Sequence, residues 1–120
     1  MSHALHDAID AEILGALEAS RRGDCAGAFH HLERAHILSQ RLTLRHIQVH
    51  WLMLKHGILT RNPREIFGQS VRIIAAAVFS RVWVPLGNTG GANVSAMRPM
   101  PVPEDLRHLL ERHGAQRPFV

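Results

Sequence analysis

A chain of 120 residues, 46% apolar and 20% charged, has the size of one domain able to bury a single core, and its composition excludes a largely disordered chain. Its formal charge of +4 is scattered over pairs such as Arg21 and Arg22, Arg41 and Arg45, and Arg61 and Arg64, which argues against nucleic acid as a partner. The single cysteine, Cys25, excludes an internal disulfide and any Cys-x-x-Cys site, and fits a reducing, cytoplasmic setting.

The first residues, Met1-Ser2-His3-Ala4-Leu5-His6-Asp7, lack the basic start and unbroken apolar run of a signal peptide. From Ala4 to Arg22, apolar Leu5, Ile9, Ile13, Ala16 and Leu17 recur at three- and four-residue steps and predict an amphipathic helix ending at Gly23. Asp24 then caps a second helix over about 25–40, with Cys25, Ala28, Phe29, Leu32 and Ala35 on its apolar face. A third helix, about 43–59, is apolar around most of its circumference, leaving Arg45, Gln48 and Lys55 as a narrow polar strip, and is expected deep in the protein. Pro63 suits the start of a fourth helix over about 64–82, which offers Ile66, Ser70, Ile73, Ile74, Ala77 and Val78 to the core. Its longest apolar run, Ile73 to Phe79, falls far short of the roughly 20 residues of a membrane span, so no membrane association is expected.

A long irregular segment, 84–103, follows, rich in glycine, asparagine and proline and without a strand pattern. Its Gly87-Asn88-Thr89-Gly90-Gly91-Ala92-Asn93 stretch lacks the spacing and lysine of a phosphate-binding loop and is expected as a structured surface loop, functional or packed across the helices. A short last helix over about 104–113 begins with acidic residues at its positive end and stops at Gly114. The whole chain, 1–120, therefore reads as a single all-α domain. The helices form either a four-helix antiparallel bundle or two packed, repeat-like hairpins, with a long irregular segment and a short C-terminal helix.

Ten histidines are the compositional outlier, and their positions matter more than their number. At about 100° per residue, His46 and His50 lie about 40° apart in the middle of the apolar arc of the third helix. His36 falls between Phe29 and Leu32 on the second helix and also faces inward, with Glu33 one turn before it in the Glu-x-x-His spacing of bundle metal sites. Glu12 lies at the edge of the first helix's apolar stripe, within reach of the same space. Buried imidazoles without partners cost about 1–3 kcal/mol each, so His36, His46 and His50 require satisfaction. One divalent transition metal would provide it, with Glu33 or Glu12 completing the site. The donors suit zinc, iron, nickel, cobalt or copper(II).

The alternative is a network that is only structural, inside a non-catalytic, tetratricopeptide-like helical-hairpin module that binds a protein partner or assembles as a homo-oligomer. Enzyme signatures are sparse. His46-Ile47-Gln48-Val49-His50 lacks the glutamate of a zinc peptidase helix, and a ferritin-type di-iron site needs two Glu-x-x-His motifs where one is present. Cys25, on an apolar helix face, is expected to pack rather than react. His3, His6, His30, His31, His56, His108 and His113 are assigned to polar faces or chain ends.

Taken together, His31-Leu32-Glu33-Arg34-Ala35-His36, His46, His50-Trp51 with Met53-Leu54, Gly87-Asn88-Thr89-Gly90 with Asn93-Val94-Ser95, and Pro99-Met100-Pro101-Val102-Pro103 with Asp105-Leu106 resemble the bacterial family known as domain of unknown function 3703. The resemblance spans nearly the whole chain. It implies a small helical bacterial protein in which these segments form one unit, and it implies no activity.

Overall fold

A computed structural model describes residues 3–79 and 84–113. These form five helices and no strand: α1 (His3–Arg21), α2 (Cys25–Ser39), α3 (Thr43–Leu59), α4 (Pro63–Phe79) and α5 (Glu104–His113). The expected end of the fourth helix at Val82 and the stop at Gly114 lie outside the described residues. α1 packs on α2 and α3 on α4 as two hairpins, joined face to face through α2 and α3, with α5 closing over α1 and α2. No helix among the described residues is long and apolar enough to cross a membrane.

The helix starts follow local chemistry. The Asp24 carboxylate accepts a hydrogen bond from Gly27 N at 2.9 Å, satisfying one of the free N–H groups of the first turn of α2. Pro63 opens α4, where its missing N–H costs nothing. Two apolar clusters follow from the inward stripes. Leu5 and Ile9 of α1 meet Ile37 and Leu38 of α2 and Leu106 and Leu110 of α5. Ala16, Leu32 and Ala35 meet Val49 and Met53 of α3. Arg34 of α2 ties the outside of this layer together, bonding Glu12 of α1 at 2.9 Å and Asp105 of α5 at 2.5 Å.

Three expectations about packing change. α3 is not surrounded: His46, Val49, His50, Met53 and Gly57 face inward, whereas Leu44, Trp51 and Ile58 lie exposed on its other side. α4 turns a polar strip inward. Glu65, Gln69 and Ala76 are its buried residues, and Phe67, Val71, Ile74 and Val78 face outward, Ile74 being 68% exposed. Of the expected core residues of α4, Ile66 and Ile73 are half-buried, while Ser70, Ile74, Ala77 and Val78 are exposed. The cause is that the strip carrying hydrogen-bonding groups is the one α3 and the 84–103 segment require. Cys25, expected to pack, is exposed.

The 84–103 segment is held to the helices by buried amides. Gln40 donates from Nε2 to the Pro85 carbonyl at 2.9 Å and accepts from Gly87 N at 2.9 Å. Asn88 donates from Nδ2 to the carbonyls of Ser95 and Arg98, at 2.8 and 2.7 Å, and accepts from Gly90 N at 2.8 Å. At Gly87, φ is +81° and a Cβ would stand 1.9 Å from the Met100 carbonyl oxygen, so the fold of the segment admits only glycine there.

These assignments separate two substitutions that a hydrophobicity count would treat alike. Leu38→Ala, in the α1/α2/α5 cluster, should cost about 2–5 kcal/mol, whereas Phe67→Ala should stay within about 0.5 kcal/mol. Urea unfolding of the two variants checks the assignment; a large loss from Phe67→Ala would contradict it.

Candidate metal centre

His36 comes from α2, and His46 and His50 from successive turns of α3, whose four-residue spacing places them on one face. All three are buried. Their Nε2 atoms converge: His36 to His46 at 3.0 Å, His36 to His50 at 3.1 Å and His46 to His50 at 3.1 Å. Among the described residues, this is the one group whose nitrogen, sulfur or carboxylate atoms could together hold a metal ion.

The outer nitrogens decide where the protons sit. His36 Nδ1 lies 2.7 Å from the carbonyl oxygen of Asn88. A carbonyl only accepts, so Nδ1 carries the hydrogen and Nε2 a lone pair. His50 Nδ1 lies 2.5 Å from Gln69 Oε1. The orientation of that amide is set from its other end, because Gln69 Nε2 donates to Glu65 Oε1 at 2.8 Å and to the Gly90 carbonyl at 2.7 Å. His50 therefore also donates from Nδ1 and presents a lone pair at Nε2. Two unprotonated nitrogens thus face each other across 3.1 Å. His46 Nδ1 is buried without a hydrogen-bond partner, although the Gln40 backbone close by favours protonation of the ring.

Burial, first, and the neighbouring rings, second, hold His36 well below the usual histidine value. His46 is lowered to about 3 by burial and then by His50. His50 is lowered to about 4 by burial, against the opposing hydrogen bond to Gln69, with the positive charge of Arg72 lowering it further. All three rings are neutral at pH 7, the form that ligates metal.

The geometry accepts an ion. Nitrogens 3.0–3.1 Å apart lie on a circle of radius ~1.8 Å, so an ion ~2.05 Å from each would stand ~1 Å off their plane. The spacing falls between the ~3.3 Å of a tetrahedral site and the ~2.9 Å of one face of an octahedron. The outer hydrogen bonds to a carbonyl and to an amide backed by a carboxylate are the supports that metal-bound histidines carry. On one side of the triad opens a cavity of about 380 Å³, lined by all three rings and by Arg72, Ala76, Phe79, Val84 and Met97 among others.

The two expected carboxylates are not part of this cluster. Glu12 is engaged elsewhere, by His31 Nδ1 at 2.8 Å and Arg34 Nε at 2.9 Å. His31, assigned to a polar face, is thus half-buried against α1. Glu33 lies 3.8 Å from His30, on the preceding turn of the same helix, and is not among the groups that converge with His36. The carboxylate nearest in connection is Glu65, one hydrogen bond beyond Gln69; it also accepts from Ala92 N at 3.0 Å. Gln40, Gln69, Asn88 and Arg72 were missed in the sequence. The signal for Gln69 was its four-residue step from Glu65 along a helix whose opposite side is apolar; Asn88 gave none beyond its place in the Asn-Thr-Gly-Gly stretch.

The family model for "Protein of unknown function (DUF3703)" matches residues 3–110. No curated protein and no solved structure matches the chain.

Two measurements probe the centre. In metal-free protein, unfolded histidines titrate near 6.5 while the folded triad refuses protons until far lower pH, so the unfolded state binds more protons and stability falls as pH drops. Urea midpoints should be level above about pH 7 and fall between about pH 6.5 and 5, before most carboxylates titrate, with an uptake on unfolding of about three protons from the triad and a further part from His56, which burial also lowers. A flat profile would show rings that stay accessible to protons. Gly90 has φ of +86°, and a Cβ there would lie 2.5 Å from His36 Cδ2. Gly90→Ala should lower stability and, by NMR, move the His36 ring resonances more than any other histidine's.

Proposed function

The chain belongs to the DUF3703 family, a description that carries no activity, and from the geometry we propose that the protein binds one divalent transition-metal ion through Nε2 of His36, His46 and His50. The observation that supports this most is the pair of lone pairs, on His36 and His50, aimed at each other at 3.1 Å. A metal-free network has one proton to offer between the three nitrogens, that of His46. It can serve one lone pair well and leaves another unsatisfied, at a cost of about 1–3 kcal/mol. A cation serves all three. That difference favours metal over the structural-network reading of the same rings.

Three neutral imidazoles and no thiolate suit zinc, cobalt, nickel, iron or copper(II), and disfavour copper(I). Closed structural sites use four protein ligands, whereas sites that exchange ligands keep a position open. Here the cavity beside the triad supplies such a position, so metal handling with an exchangeable ligand fits better than a purely structural ion. Glu12 and Glu33, the carboxylates favoured by spacing, have no part in this ligand set.

Elemental analysis of chelator-treated protein resupplied with zinc or cobalt should give close to one ion per chain, falling at least tenfold in a His46→Ala/His50→Ala double variant whose helical circular dichroism is retained. A single His36→Gln change should weaken binding in the same direction. Saturating metal at about 1,000 times the dissociation constant should stabilise the fold by about 4 kcal/mol. Protein that takes up no zinc, cobalt, nickel, copper or iron and whose stability is unchanged by any of them would overturn the reading.

A further inference from the structure

The chemistry around the triad specifies what fills the open position. Three neutral ligands leave the full charge of a divalent ion uncompensated. The protein does not place a carboxylate against it: Glu12 is bound by His31 and Arg34, and Glu65 is turned to Gln69 and to Ala92 N. It adds a further cation instead. Arg72, on the inward side of α4, lines the same cavity, and its charge is felt at both His36 and His50. Its Nη2 is held by the Val94 carbonyl at 2.9 Å, and among the described residues no carboxylate lies within ion-pair distance of it. Arg72 is half-buried and feels Glu65 only through space, while its Nε is buried without a hydrogen-bond partner, so beside a dication held by three neutral rings the cavity favours a negative partner.

The rest of the lining says what the partner's body is. Ala75, Ala76, Phe79, Val84, Pro85 and Met97 are apolar, and the space, about 380 Å³, is many times that of one water and within the range of small-molecule sites, about 300–1,000 Å³. Hydroxide or chloride would answer the charge and leave this apolar space without a matching occupant.

We infer that the cavity is a binding site for a small organic carboxylate with an apolar body, its head shared between the metal held by the three histidines and Arg72, its body against Ala76, Phe79, Val84 and Met97. The inference rests on the metal reading above. Arg72 is the specificity-determining residue: it selects the anion over its neutral isostere, and it contributes nothing to holding the ion itself.

Cobalt(II)-loaded protein provides the test, because the visible d–d absorption of cobalt changes when its fourth ligand changes. Titration with benzoate should shift the spectrum saturably, with formate at least tenfold weaker for want of a body and benzamide at least tenfold weaker for want of charge. In Arg72→Gln, benzoate affinity should fall tenfold or more while cobalt content stays at one per chain; Arg72→Lys should recover part of the loss and guards against a folding defect. Cobalt bound without a benzoate response, benzamide binding as tightly as benzoate, or undiminished benzoate binding in Arg72→Gln would each overturn this inference while leaving the metal site standing. Failure of the wild-type protein to take up cobalt or any of zinc, nickel, copper and iron would overturn both, and the metal content, measured first, tells the two failures apart.

Discussion

The hydrogen bond from His36 Nδ1 to the Asn88 carbonyl, and its counterpart from His50 Nδ1 to Gln69, at 2.7 and 2.5 Å, fix the protons of two rings on their outer edges and leave their inner edges bare. Burial then keeps the rings neutral, because a charged imidazole would lose its hydration without gaining an anion. The result is a focus of electron pairs inside an apolar protein. Neither half works alone. Burial without the outer acceptors would let the rings choose tautomers that satisfy one another, and outer acceptors on a wet surface would let protons compete for the inner nitrogens.

The irregular segment follows from that requirement. A backbone carbonyl inside a helix is bonded within it and points along the axis, so it cannot be aimed at a ring on another helix. Carbonyls of chain without regular structure can. Its remaining polar groups must then be satisfied individually, which is what Gln40, Asn88 and the Gln69 to Gly90 bond accomplish. The polar inward strip of α4 has the same origin: Glu65 holds Gln69 and the Ala92 N–H, so one helix supports His50 and the loop together. The outward position of Phe67, Ile74 and Val78 is the consequence, since α4 cannot turn both strips inward.

How much of this a sequence reveals depends on the range of the interaction. Helix ends are local, and Asp24, Pro63 and the three-and-four rhythm of Leu5, Ile9 and Ile13 located them to within a residue or two. The pairing of His46 with His50 is equally local, and the inward aim of His36 followed from its neighbours on one helix. The remainder is not local. Helical spacing points to Glu33 and Glu12; where Glu12 goes depends on which cations meet it across the helix interface, and Arg34 and His31 take it. The apolar residues of α4 outnumber its polar ones, so periodicity favoured the wrong face. Nothing in residues 65–69 alone announces that a histidine on α3 needs an amide.

The diversion of both carboxylates shapes the electrostatics of the centre more than any contact within it. A Glu ligand would lower the net charge of a bound ion and strengthen its hold, at the expense of the position it occupies. Here the only carboxylate in the chain of hydrogen bonds, Glu65, acts through Gln69 and reaches His50 as an acceptor two bonds away. An amide relays orientation well and charge poorly, so the rings are aligned without being made anionic in character. An ion held this way would keep most of its positive charge and would face a cavity whose wall carries Arg72. For the metal site proposed above, a fourth, anionic ligand from the protein would strengthen retention, whereas charge and space left together beside the ion would suit a ligand that comes and goes.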